Sequence, residues 1–505
     1  MNALARFLLG IDAGLTVTKS VLFDESGEQV GIASRRVPTS SPQPFFVERD
    51  QDELWAAVVS TVRDVVASSG IDPLDIVGIG VTAHGDGIYL VDADARPVAP
   101  GVVSLDSRAR DIIARWERDG TSAAALQQSG QAPFVSTPAA LLAWFSENAP
   151  EILTQSAYAL PCKDVIKARL TGRISTDRTE ASLSFVDYRT QEYSRDILDL
   201  FGISHCWRLL APAIDSAEQA GNVSADAAAE LGLPAGVPVA AGAHDVDCSA
   251  IGSGAVASGQ FSLIAGTYSI NQAISDTASV SPDWCARNFV TPGIWIHQAV
   301  SPSSATNMEW FVREICATTG PPLPEGTDPF SFIEREISGV EGDPDDVVYL
   351  PFLYGSPLKE DTSATFLGIR GWHTRGHLLR AVMQGIVYNH VWHIDDLLTA
   401  FDARSVHLTG GATNSSRWCQ MFADALGREV RVSSTKESGA LGVCLLAGLA
   451  VGLYADLDDA VQRAGGTQVI YRPTPEGVER QQRSYTRYRR VAAAMGPVWD
   501  ATHMF

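Results

Sequence analysis

The chain has 505 residues, 45% apolar and 19% charged, a globular composition long enough for about two to four domains that need no disulfides. Its formal net charge of −21 argues against a broad nucleic-acid or anionic-membrane surface, although a local pocket can oppose the global sign. Seven dispersed cysteines, an N-terminal apolar run too short for a signal segment and no run long enough to span a bilayer read as a reduced cytoplasmic protein.

In chain order, FLLGI (7–11) predicts a buried strand, VTKSVLF (17–23) a second, and Glu28 to Val37 a third. The last two are joined by the turn Asp24-Glu25-Ser26-Gly27. Asp50 offers an N-cap, with Glu53 three residues on, to a helix whose apolar face carries Leu54, Trp55, Val58, Val62, Val65 and Val66. IVGIGVT (76–82) returns as a strand, so the start is a mixed α/β layout on a central sheet. The middle, roughly 109–235, is mostly helical, including a helix at 163–170 stopped at Thr171-Gly172. Strand pattern resumes at VPVAAGA (237–243).

A second half begins near 253–259. Its segment FSLIAGTYSINQAIS (261–275) repeats the pattern of FLLGIDAGLTVTKS, a strand, a small-residue turn with threonine, then an alternating segment. The repeat predicts two sheet domains with a cleft between them. Helical spacing is sustained over 376–398. VHLTGGA (406–412) reads as strand into glycine turn, followed by a helix at 415–426 and a Gly/Ala/Leu helix at 438–452.

Polar residues gather at the strand ends. Asp12, Gly14, Leu15, Thr16 and Lys19 put a carboxylate beside a turn of backbone donors, which suits a metal-bound phosphate. The glycine spacing is not that of a Walker loop, and Asp-Gly turns are common between strands. Gly266-Thr267 and Gly410-Gly411-Ala412-Thr413-Asn414 repeat the arrangement, although glycines also exist merely to turn. His84, Gly85 and Asp86 suit recognition of hydroxyls, or Asp86 caps a turn. Asp106 and Arg108 suit either substrate contact or a structural ion pair. In GAHDVDCSAI (242–251), Asp245 stands just past a strand, where a base for an accepting hydroxyl is needed. Asp247 falls in the first turn of a following helix, and His244 is a neighbour or a substrate contact.

With these motifs the chain resembles the FGGY carbohydrate kinases, relatives of glycerol kinase and xylulose kinase within the actin-like ATPase superfamily, over about residues 6–480. The most specific match is Gly410 through Val430, similar to the family's second signature; Gly368-Ile369-Arg370 through Gly385 is a weaker one. The resemblance implies an α/β fold of two actin-like, ribonuclease H-like sheet domains with a nucleotide and sugar cleft between them. It implies a sugar-binding and phosphate-turn domain at 1–252, a nucleotide-binding domain at 253–485 and a surface tail at 486–505. ATP and Mg²⁺ follow as cofactors. Asp12 would serve the metal; Asp12 to Thr16 would form the first phosphate turn and Gly266-Thr267 the second, with Thr267 near the γ-phosphate. Gly410, Gly411 and Asn414 would border adenine, Asp245 would be the base, and Thr176-Asp177 through Ala181-Ser182 would be structural.

The departures concern the sugar. Gly85 and Asp86 stand where glycerol kinases have arginine and glutamate and xylulose kinases methionine and histidine, a combination similar to the erythritol and L-xylulose kinase branches. Leu15 replaces a hydroxyl residue, a loss that backbone N–H groups can cover. The implied partners are ATP and a small neutral sugar or polyol, with no nucleic acid and no membrane; dimers being common among such kinases, a homodimer is compatible. The alternatives are a non-catalytic ATP-binding regulator on the same fold, or a sugar-binding or hydrolytic protein, which would need no adenine pocket.

Overall fold

The computed structural model describes residues 6–316, 329–340, 347–358 and 362–502, so the first five residues of the N-terminal run lie outside it. The chain divides into two compact units. One comprises Met1–Ser258, Ile274–His297 and Glu437–Gly466; the other comprises Gly259–Ala273, Gln298–Lys436 and Thr467–Phe505.

The first unit is built on a six-stranded sheet in the order Gln219–Asn222, Pro238–Ala240, Ile76–Ala83, Phe7–Ala13, Val17–Asp24, Gln29–Arg36. Phe7–Ala13 runs parallel to Ile76–Ala83 and antiparallel to Val17–Asp24, a register that sets Asp12 opposite both Thr82 and Lys19. Side chains alternate between the two faces of a strand. Leu9, Ile11 and Ala13 therefore join one core with Val58, Val62 and Val65 of the helix Gln51–Ser69, which Asp50 caps through the N–H groups of Asp52 and Glu53. Leu8 joins a second core with Leu441, Cys444 and Leu445 of the helix Ser438–Ala450. A third core, with Ile112, Trp116, Leu141, Leu142 and Phe201, lies among the helices of the middle segment.

In the second unit, Ser269–Ser275 pairs antiparallel with Gln260–Ala265. That strand runs parallel to Ser405–Thr409, which runs parallel to Val430–Ser433, and Gln468–Tyr471 closes antiparallel. The first unit has the same succession of pairings from Val17–Asp24 through Phe7–Ala13, Ile76–Ala83 and Pro238–Ala240 to Gln219–Asn222. The short sequence repeat thus falls on strands that hold the same place in the two pairing patterns. Among the described residues no helix is long and apolar enough to cross a membrane, and the seven cysteines are free thiols.

One expected strand is shorter than its apolar sequence suggests. Over 237–243 only Pro238–Ala240 pairs, because Gly242 takes a positive φ of 74° and turns the chain out of the sheet. The turn leads into the helix Asp245–Ser253, which packs backbone to backbone on Ser438–Ala450. A Cβ on Gly442 would lie 1.9 Å from the carbonyl oxygen of Cys248, and one on Gly252 2.0 Å from that of Ser438. Backbone atoms cannot yield locally, so Gly442→Ala should lower unfolding free energy by about 1–3 kcal/mol in denaturant titration. A change below about 0.5 kcal/mol would mean that the two helices separate freely.

Candidate active site

The backbone from Ala241 to His244 is held at every residue. Lys163 Nζ donates to the Ala241 carbonyl at 3.2 Å, and the Gly242 N–H donates to Ser216 O at 3.1 Å. Thr82 Oγ1 donates to Ala243 O at 2.7 Å, and the His244 N–H donates to Thr179 Oγ1 at 2.9 Å. Thr179 in turn donates its hydroxyl hydrogen to Asp177, which also accepts from Ser216 Oγ and pairs with Lys163 at 3.0 Å. Asp164 accepts from Lys163 and Lys167, and all four of these charged side chains are fully buried. Buried charges persist only when paired in this way. The segment expected to be structural, 176–182, is thus the brace of the turn that precedes Asp245.

Asp245 is the first residue of its helix, with His244 at the N-cap and Asp247 also in the first turn. The His244 ring lies between the two carboxylates, Nε2 3.4 Å from Asp245 Oδ1 and Nδ1 3.5 Å from Asp247 Oδ2. Burial alone would lower the imidazole pKa, but Asp247, Asp245 and Glu180 outweigh it and push it up to about 9. Asp245 and Asp247 are both raised by burial, with His244 working against the rise.

Four sequence-predicted residues meet here, Gly85, Asp86, His244 and Asp245. Asp86 is half-buried in a left-handed conformation at φ 55°, unusual for a residue with a side chain, and its buried Oδ1 has no hydrogen-bond partner. Burial raises its carboxyl, and Arg287, 3.8 Å away, and His244 lower it. Two members were missed in the sequence. Arg287 lies on the strand Cys285–Asn288 with no motif around it, and its Nε donates to Gln131 Oε1 at 3.1 Å. Glu180 is buried with neither oxygen hydrogen-bonded, and burial pushes its carboxyl up to about 8; its signal was its place inside the 176–182 segment. Asp86 and Glu180 line one small cavity of about 30 Å³ with Ile88, Leu160 and Phe185.

Other predicted residues are engaged elsewhere. His84 is buried and pulled down to about 3 by burial and by Arg49, with Nε2 on Tyr89 OH at 3.1 Å, so its neutral ring supports the turn. Asp106 and Arg108 are turned to each other. Asp106 accepts from the Val47 N–H at 2.7 Å and from the Arg108 guanidinium, while Arg108 also reaches Glu48 at 2.8 Å and lies 4.0 Å over the Phe46 ring. Both side chains thus have partners within the protein, an ion pair with each other and with Glu48.

Asp12 stands at the end of its strand with its carboxyl pushed up to about 7, by burial first and then by the charge of Asp245, against Lys19. Lys19 itself pairs with Glu437 at 2.7 Å, and the Gly14 N–H is spent on Val17 O, so the turn offers fewer donors than its sequence suggests. Thr16 at its tip is exposed. The buried guanidinium of Arg49, another residue missed in the sequence, donates to the carbonyls of Gly14 and Leu15 and fixes the turn from behind. Among the described residues no group of three or more His, Cys, Asp or Glu side chains is arranged to hold a metal ion alone.

In the second unit, Gly410 has φ 90°, and a Cβ there would meet the Ala265 carbonyl at 2.6 Å, so the Gly410 turn presses against the start of Gly266-Thr267. Thr267 is exposed, its carbonyl accepting from Thr306 Oγ1 at 3.2 Å. Gly411–Asn414 forms a short 3₁₀ turn in which Asn414 Nδ2 donates to Gly411 O at 3.2 Å. Gly410, Gly411, Thr413 and Asn414 line a cavity of about 200 Å³ with Ser433, Thr435 and Lys436.

Residues 7–252 match the model of the N-terminal domain of the FGGY family of carbohydrate kinases, and residues 263–451 that of its C-terminal domain. A probable L-xylulose kinase of Haemophilus influenzae is 31% identical over 97% of this chain and 99% of that protein. The L-xylulose/3-keto-L-gulonate kinase of Escherichia coli is 29% identical over 97% and 98%. The crystal structure of xylulose kinase from Rhodospirillum rubrum superimposes with a TM-score of 0.85 at 26% identity, covering 98% of this chain and all of that one.

The histidine between two carboxylates sets a pH dependence. Its folded value of about 9 lies above the ordinary 6.5, so its pairing adds stability that is complete below about 6.5 and is lost as pH rises through about 9. The difference in unfolding free energy between wild type and His244→Gln should be largest near about pH 6 and close by about pH 10; a constant difference would contradict the pairing.

Proposed function

The chain belongs to the FGGY family of carbohydrate kinases and is itself a carbohydrate kinase, and from that premise we propose that it transfers the γ-phosphoryl group of ATP to a terminal hydroxyl of a small neutral polyol or ketopentose, xylulose- or erythritol-like, with Asp245 as the base. The observation that carries the reading is a half-buried carboxylate at the first residue of a helix, reached by a braced backbone turn, in one cluster with Asp86, His244 and Arg287.

The acceptor oxygen attacks the γ-phosphorus as the bond to the β,γ-bridging oxygen breaks, and Asp245 takes the hydroxyl proton. Asp86, with an unused buried oxygen, would accept from a substrate hydroxyl, and Gly85 leaves room beside it for the His244 ring. Asp86, Asp245 and Asp247 outnumber His244 and Arg287, so a neutral acceptor is favoured over one already phosphorylated. Asp106, Arg108 and His84 would serve by holding the walls.

Gly266, Thr267, Gly410, Gly411 and Asn414 would bind ATP, and the cavity beside Gly410–Asn414 suits adenine. The turn of Gly14, Leu15 and Thr16 would meet phosphate through the N–H groups not used within the hairpin, with Lys19, paired to Glu437, beside it. Asp12 fits a magnesium ion, since a carboxyl raised by burial and by Asp245 is one that a cation would restore to its ionised form. When bound, Mg²⁺ would offset the charge of the phosphates. The free cysteines favour a reducing compartment, which supports a cytoplasmic site of action.

Asp245→Asn should lower kcat with the best acceptor by at least about a hundredfold, leaving ATP binding by calorimetry within about threefold of wild type. Near-normal turnover in that variant would refute Asp245 as the base.

A further inference from the structure

We infer that His244 fills the space that Gly85 leaves open in the hydroxyl-binding turn, and that it is there a positioning residue, a cation between Asp245 and Asp247 that keeps Asp245 ionised and aimed at the acceptor. The inference rests on the assignment of Asp245 above and adds a specificity element that joins two distant segments of sequence.

The steric part is direct. A Cβ built on Gly85 would lie 1.7 Å from His244 Nε2 and 2.4 Å from its Cδ2, so no side chain at position 85 coexists with this ring position. A long side chain often evades such contact by rotating away. This ring is buried, with one nitrogen 3.4 Å from Asp245 and the other 3.5 Å from Asp247, and its backbone N–H is fixed on Thr179. The glycine is therefore matched to the histidine. The surface that position 85 would otherwise present to a substrate is supplied by the imidazole.

The electrostatic part follows from what surrounds the ring. Asp245 and Asp247 face it from its own helix, Glu180 from Arg178–Ala181, and His84 and Asp86 from the turn after Ile76–Ala83, with Arg287 beside Asp86. His84 is held neutral, so it does not compete as a cation. Glu180, pushed up to about 8 by burial, titrates near the histidine, and Glu180→Gln separates the two. Loss of the His244 charge would remove an influence that lowers the Asp245 pKa and leave burial to raise it.

The test is a double-mutant cycle over Gly85→Ala and His244→Ala, read as kcat/KM for the best acceptor, together with pH profiles of wild type, Glu180→Gln and His244→Gln. Gly85→Ala should cost about tenfold or more in the wild-type background and less than about twofold in His244→Ala. His244→Gln should lose the alkaline limb near about pH 9 and shift the acid limb upward, whereas Glu180→Gln keeps the alkaline limb. If Gly85→Ala does not fold, recovery of folded protein in the double variant supports the match and continued misfolding overturns it. Equal costs of Gly85→Ala in both backgrounds, or unmoved limbs in His244→Gln, would also overturn it. The cycle compares ratios at positions 85 and 244, so it stands apart from the Asp245→Asn result, which alone decides the base.

Discussion

The buried pair of Lys163 and Asp177 is the constraint on which the site depends. Through Lys163 it fixes the carbonyl of Ala241, and through Thr179 it fixes the N–H of His244, either side of a glycine in the left-handed region. An interior ion pair of this kind is poor evidence for stability, because desolvation offsets much of its attraction. Its value here is geometric. It specifies one path for four residues of backbone and hence one position for the first residue of the helix that follows.

That helix is then located from the opposite side by glycines. Gly252 and Gly442 let it touch Ser438–Ala450 at backbone distance, and Gly10 and Gly80 let the same second helix settle on the sheet, where added Cβ atoms would lie 2.6 Å and 2.3 Å from the carbonyls of Ala440 and Val443. The face of the sheet that carries Asp12 is thereby packed with small residues, and Asp12 and Asp245 come near enough for one charge to raise the pKa of the other. Close packing and charge coupling in this region have a single cause.

Much of this was legible in the sequence where a local rule applies. Period-two and helical spacing gave the strands 7–11 and 17–23 and the long helix Arg375–Ala400, and the faint repeat at 261–275 anticipated a topology that the two sheets share pairing for pairing. Asp247 fell as expected in the first turn of a helix, which Asp245 itself opens. What escaped were residues whose roles come from partners far along the chain. Arg49 holds a turn some 35 residues earlier, Arg287 meets Asp86 from a strand about 200 residues away, and Glu180 matters because burial leaves it beside His244. Lys19 pairs with Glu437. The roles open to Asp106 and Arg108 could be weighed only with Val47, Glu48 and Phe46 in view.

In the proposed function the carboxylates of Asp86, Asp245 and Asp247 around His244 and Arg287 would receive the acceptor, and their excess over the cations would favour hydroxyls without anionic groups. The most direct measurement is ADP release from ATP and Mg²⁺ across a panel of three- to six-carbon polyols and ketoses and their phosphorylated counterparts. The account predicts saturable release with a neutral polyol or ketopentose and none above background with the phosphorylated ones. Release that needs no acceptor, or that is fastest with a phosphorylated sugar, would contradict it.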